Sequence, residues 1–113
     1  MAQVIGNEEL PNNGAVYRFE GYLYGDVVVS FFLSDTAPGK GPDLHKHPYE
    51  EVFVVQEGEL TFTVGDETID ARGGQIVVVP AVVPHKFVNS GAGRAEHIDI
   101  HTSSHMAANW LLE

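Results

Sequence analysis

Cysteine is absent from the 113 residues. That excludes a disulfide framework, a redox dithiol and any thiolate metal site. Basic residues are scarce, with six Lys and Arg against sixteen Asp and Glu and a formal charge of −10. A phosphate backbone needs a basic patch, so neither nucleic acid nor an anionic membrane surface is an expected partner. The ordinary effect of such a charge is solubility. No apolar run approaches the roughly 20 residues of a membrane span. The first residues, MAQVIGNEEL, lack the basic region and apolar stretch of a signal peptide. Together with the missing cysteine, this gives a cytoplasmic location as the expectation. A chain of this length is expected to form a single domain, residues 1–113, with enough apolar residues for a core.

What is present is strand after strand. Val16 to Phe19, Val27 to Leu33, Val52 to Val55, Leu60 to Val64, Ile76 to Val79, His85 to Val88 and Ala95 to His101 are rich in β-branched and aromatic residues, with Gly, Pro, Asn and Asp punctuating the chain between them. Gly65-Asp66 reads as a two-residue hairpin turn. Short, regular spacing predicts an all-β sandwich or barrel. The tail differs: Met106 and Trp110 lie four apart, as do Ala107 and Leu111. That spacing predicts a short C-terminal helix over 104–112, capped by Ser103 or Ser104. Val27-Val28-Val29, Val52 to Val55 and Ile76 to Val79 are apolar without alternation. A sheet with one wet face should alternate, so a second subunit is expected to cover the other face, giving a homodimer.

The stretch PGKGPDLHKHPYEEVFVVQEG, residues 38–58, places titratable groups at the mouth of an apolar strand. Residues two apart on a strand share a face, so His45, His47 and Glu51 are expected to converge inside and Glu50 to point out. Imidazoles with a carboxylate make a ligand set for a divalent transition metal. An HxH pair alone is equally what two solvated loop histidines give. A second stretch, GGQIVVVPAVVPHKFVN at 73–89, strengthens the metal reading. It brings His85 into another strand with Phe87 and Asn89 on the same face.

The two stretches resemble the motifs of the cupin family. In the first, 39–58, Gly39 is followed after five residues by His45-Lys46-His47; Glu51 stands four positions on, and Gly58 comes after six more. In the second, 74–89, Gly74 precedes Pro80 by five residues, Val82 stands where the family prefers Gly, and His85 and Asn89 fall in register. Val disfavours positive φ, so the turn at Val82 is expected to differ from the family's. The resemblance implies a jelly-roll β-barrel and a metal held by His45, His47, Glu51 and His85. It also implies dimerisation by N-terminal strand exchange.

Four protein ligands leave two positions of an octahedron open, as a catalytic site requires. A divalent ion with one glutamate carries a local charge of about +1, suited to an anionic or enolisable small-molecule substrate. Fe(II) or Mn(II) is favoured by cellular supply, with Ni, Cu, Co or Zn also compatible with nitrogen and oxygen donors. The expected function is a metal-dependent enzyme of dioxygenase type. A redox-neutral isomerase or lyase and a non-catalytic binding module are the alternatives. Tyr49, Phe53 and Phe87 are candidates for the substrate pocket. His97, Asp99 and His101 alternate with Ile98 and Ile100; ordinary burial trends place them on a wet outer face. Should that face turn inward, His101 is the candidate for proton transfer. His105 is expected in solvent.

Overall fold

The structure, a computed structural model, describes residues 2–107 and 109–110. Among these residues, ten strands form two antiparallel five-stranded sheets. The strands are β1 (Val16–Glu20), β2 (Ser30–Thr36), β3 (His45–Lys46), β4 (Glu51–Glu57), β5 (Glu59–Val64), β6 (Glu67–Arg72), β7 (Ile76–Val79), β8 (His85–Asn89), β9 (Ala95–His101) and β10 (Asn109–Trp110). One sheet runs β1-β2-β9-β4-β7, the other β10-β3-β8-β5-β6. The arrangement is an all-β jelly roll, and no helix among the described residues is long and apolar enough to cross a membrane.

Most strand predictions hold, with local differences. Val27 to Val29 precede β2 instead of belonging to it, and Val28 is exposed. β6 was visible in the sequence only as the far arm of the Gly65-Asp66 hairpin. Its residues are mostly polar, and only Ala71 is fully buried. The predicted C-terminal helix is not formed. Residues 103–107 run as bends and extended chain, and Asn109–Trp110 pair with His45–Lys46 as an edge strand. Ala108 and Leu111 to Glu113 lie outside the described residues. Backbone pairing with the exposed edge of β3 competes here with a local helix too short to be stable alone.

The turn at Val82 also departs from expectation. Val82 takes φ 60, the conformation a glycine would hold, despite its β-branched side chain. Its N–H donates to the His47 carbonyl at 2.9 Å, which ties the turn before His85 to the first histidine pair. At Gly58 (φ 85) the conformation and the space both require glycine, because a Cβ would stand 2.7 Å from the Arg94 carbonyl oxygen.

Phe53, Val55, Leu60, Phe62, Val77, Val79 and Phe87 fill the space between the sheets. The outer faces differ. On the first sheet, Val52 pairs with both Val78 and Ile100, Val54 with both Ile76 and Ile98, and Phe31 and Leu33 lie opposite Ile100 and Ile98. That face is apolar, and Ile76 and Val78 are 62% and 63% exposed. The second sheet shows Thr61, Thr63, Lys86, Thr68 and Asp70 on its outside.

Candidate functional site

β3, β4 and β8 bring together the four residues singled out from the two motifs. His45 lies directly across from His85 in the β3–β8 pairing, and Glu51 opens β4. Pro48, Tyr49 and Glu50 separate His47 from β4, yet its ring still turns inward. His45, His47, Glu51 and His85 are all buried, and one ligand atom from each lies within 4.8 Å of the others. Glu50 is exposed, as parity predicted.

The imidazoles are fixed by their other nitrogens. Nδ1 of His45 lies 2.9 Å from the Asp43 carbonyl, Nδ1 of His47 3.0 Å from that of Tyr49, and Nδ1 of His85 2.9 Å from that of Val83. A carbonyl only accepts, so each Nδ1 carries the hydrogen and donates it. Each Nε2 of a neutral ring is then a lone pair. Glu51 Oε1, itself an acceptor, stands 2.8 Å from Nε2 of His47 and 3.1 Å from Nε2 of His85. Lone pairs facing one another at that distance require a proton or a cation between them. Metal–donor bonds of about 2.1 Å put neighbouring octahedral ligands about 3 Å apart, which matches this spacing. The donor set fits a divalent transition ion, and backbone carbonyls behind ligating histidines are the usual outer support of such a site.

Electrostatics point the same way. Burial pushes the Glu51 carboxyl up, but contacts from His101, His47 and His85 outweigh it and hold the group far below the usual carboxylate range. Burial lowers His45, with the neighbouring His85 and His47 adding to the effect. Burial also acts to lower His85, yet the Glu51 carboxylate and the Val83 carbonyl raise it overall. That raised value is the proton's answer to the demand a metal would meet.

Behind the carboxylate, His101 Nε2 lies 3.3 Å from Glu51 Oε2. Its Nδ1 is 2.7 Å from the Tyr49 hydroxyl, which also accepts from the Ala107 N–H at 3.0 Å. With Nε2–H given to Glu51, Nδ1 accepts the Tyr49 proton. Tyr49 stacks on His47 at 4.3 Å. It therefore backs a ligand and is not part of the cavity wall. Phe53 and Phe87 line the cavity together with His45, Glu51 and His101. The cavity holds about 570 Å³, room for a small molecule.

The outer-face prediction for β9 is wrong. His97, Asp99 and His101 are all buried and point inward, while Ile98 and Ile100 face outward. The apolar outer surface of this sheet made the assignment by hydrophobicity fail, because both faces of β9 want cover. Parity alone did tie His97 and Asp99 to His101. Thr36 was missed. Its hydroxyl is 2.8 Å from His97 Nε2, and His97 Nδ1 makes a short bond to Asp99. His105 is exposed, as expected, and stacks on Tyr22. Arg94 pairs with Asp35 at the surface.

Comparison with known proteins now decides the family. Residues 32–101 match the model of the cupin domain. The chain belongs to the cupin family. It is 46% identical over 80 residues to the uncharacterized protein SCO3923 of Streptomyces coelicolor, covering 71% of this chain and 72% of that one. It is 35% identical over 57 residues to the HTH-type transcriptional regulator PuuR of Escherichia coli, covering 50% of this cupin but 31% of PuuR. Among solved structures, Bacillus subtilis oxalate decarboxylase, described for its Mn(II) centres, aligns with a TM-score of 0.78 at 23% identity over 85% of this chain and 27% of its own. A recombinant oxalate oxidase in complex with glycolate aligns at 0.75 and 23%, over 85% of this chain and 54% of its own. The likeness to the two oxalate enzymes is one of fold.

Proposed function

We propose that this cupin is a metal-dependent enzyme acting on a small anionic or enolisable molecule, most simply an oxygenase of dioxygenase type. The observation that carries the reading is the set of three imidazole lone pairs, each locked inward by a backbone carbonyl, converging with Glu51 Oε1 beside an open cavity. His45, His47, His85 and Glu51 would hold Mn(II) or Fe(II). Mn(II) gains support from the oxalate decarboxylase likeness. When bound, the ion supplies Lewis-acid polarisation of a substrate oxygen and a place for dioxygen chemistry. The chain's own residues do the rest. His101, oriented by the Tyr49 hydroxyl, holds Oε2 of Glu51 and leaves Oε1 to face the imidazoles. Phe32, Phe53 and Phe87 make an apolar wall that keeps water from the substrate's carbon skeleton.

Metal analysis of protein purified without added metal, then a screen of small carboxylates under air and under argon, tests the reading. About one transition ion per chain and oxygen uptake with some substrate are expected. Turnover that proceeds equally under argon would move the assignment to an isomerase or lyase. A second reading, a non-catalytic small-molecule binding module, draws on the similarity to PuuR, a transcriptional regulator by name. Tight binding without turnover of any ligand would favour it.

The protein is further proposed to work as a cytoplasmic homodimer. Support comes from the apolar outer face of the β1-β2-β9-β4-β7 sheet, where Val54, Ile76, Val78 and Ile98 cluster. Such a patch on a protein of charge −10 marks an interaction surface. Sedimentation at micromolar concentration should give a dimer, and Val78→Lys should give monomers or aggregates.

A further inference from the structure

Asp99 has no task in the site as described so far. It is 5% exposed, sits in the middle of β9 and lines the same cavity as Glu51 and His45. A carboxylate in such a place is costly unless hydrogen-bonded, and half of it is. Nδ1 of His97 bonds Oδ1 of Asp99, and Nε2 of His97 meets the Thr36 hydroxyl at 2.8 Å. Carboxylate oxygen only accepts, so His97 donates from Nδ1; its Nε2 is then the acceptor for the Thr36 O–H. The chain Thr36–His97–Asp99 uses every hydrogen it has and fixes the orientation of the carboxylate. Oδ2 is left over. It has no hydrogen-bond partner among the described residues, and no buried side-chain oxygen or nitrogen there lacks one. Oδ2 is therefore the atom through which Asp99 reaches the cavity.

Its position relative to the metal ligands follows from register. His101 lies across from Glu51, and Asp99 lies across from Phe53 on β4 and Phe32 on β2. Asp99 stands one inward-facing step from His101, about 7 Å along the strand. The two ends of the cavity thus differ in kind. One offers a place for an oxygen donor beside Glu51. The other offers a fixed, unsatisfied acceptor, with Phe53 and Phe87 lining the same cavity.

We propose that Asp99 is a ligand-recognition residue of this cavity, oriented by His97 and Thr36. It accepts a hydrogen bond from a hydroxyl or ammonium group several bonds away from the carboxylate that binds at the metal end. The proposal rests on the metal-enzyme reading and names its substrate class: a short bifunctional acid, anionic at one end and a hydrogen-bond donor at the other. A plain fatty acid would leave Oδ2 buried and unpaired, which is what makes an acceptor selective. Burial also raises the affinity of Asp99 for a proton, against the opposing bond from His97; a donor on the ligand relieves the same deficit.

The test uses the full chain loaded with Co(II) and three probes that differ at one end: butyrate, 4-hydroxybutyrate and 4-aminobutyrate. Binding is read by calorimetry and by the cobalt visible bands. The two donor-bearing probes should bind about tenfold or more tighter than butyrate, the scale of one hydrogen bond to a charged group. Asp99→Leu should level the three, with the donor-bearing probes losing affinity and butyrate gaining it, because no unpaired carboxylate is left behind. Asp99→Asn keeps an acceptor for His97 but turns an NH₂ toward the cavity. It should keep much of the preference for the hydroxyl and lose that for the ammonium, and it serves if the Leu variant fails to fold. Equal binding of all three probes to the cobalt protein, or no binding by any at millimolar concentration, overturns the role of Asp99 and leaves the metal site standing. A folded protein that takes up no cobalt overturns the metal reading and this one with it.

Discussion

The interior of the barrel has two ends built on different principles. At one, Phe53, Val55, Leu60, Phe62, Val77 and Val79 pack without a polar atom among their side chains. At the other, His45, His47, Glu51, His85 and His101 occupy equally buried positions on the same strands or their neighbours. Burial is the same; what differs is how it is stabilised. The apolar end gains from removal of hydrocarbon from water. The polar end is held by a connected set of hydrogen bonds from ring nitrogens to backbone carbonyls, and it is complete only with a cation among the lone pairs. An apolar core fixes the fold, and a polar cluster carried on that core can be specialised without endangering it.

Five experiments sharpen or break that contrast. The largest effect on folding should come from the apolar end. Phe62→Ala empties a site at 0% exposure, packed against Phe53 and Phe87, and should cost about 3–5 kcal/mol in denaturant unfolding. Metal content of the fraction that stays folded should not change. His85→Ala should do the reverse, lowering metal affinity by about a hundredfold or more in a chelator competition. The melting temperature of metal-free protein should move only a few degrees. If His85→Ala unfolds the metal-free protein as badly as Phe62→Ala, the polar end is structural. Acid should reproduce the His85→Ala result, since ligand imidazoles must be neutral. Bound metal should leave below about pH 6, while circular dichroism still reports a folded barrel.

Asp99 gives a smaller, signed effect. Burial pushes its carboxyl up, the bond from His97 opposes this, and the net shift is upward. For a raised folded value, the stabilising contribution is fully present below the unfolded pKa, near 3.9, and is lost as pH rises through the folded value. Metal-free wild type should therefore lose stability relative to Asp99→Asn as pH rises from about 4, at no more than about 1.4 kcal/mol per pH unit. A difference that runs the other way would mean that the His97 bond outweighs burial. The smallest effect belongs to Val82. It is 62% exposed and holds φ 60, so Val82→Gly should relieve left-handed strain and stabilise by about 1 kcal/mol or less after the entropy of glycine is counted. Metal affinity should be unaffected.

Much of the metal end was legible because its signal is local. His45, His47 and Glu51 lie within seven residues of one another, and strand parity puts them on one side; His85 was found through a second motif of fixed spacing. The tail was not legible. A helix of four-residue spacing and an edge strand draw on the same few apolar residues, and pairing with β3 decides between them only once β3 exists.

The sequence by itself determined the place of most strands, the hairpin at Gly65 and the four residues that could hold a metal. These depend on neighbours in the chain and on the period of two that a strand imposes. Which side of β9 faces in was decided only by the tertiary structure. Ile98 and Ile100 argue for burial on one side, and His97, Asp99 and His101 for solvent on the other. Pairing with β2 and β4 reverses both, because the outer face of that sheet is itself apolar, continued by Val52, Val54, Phe31 and Leu33. Hydrophobicity ranks faces only when one of them is wet. Where the outer face is itself apolar, the long-range register chooses, and here it turned a row of titratable residues toward the cavity.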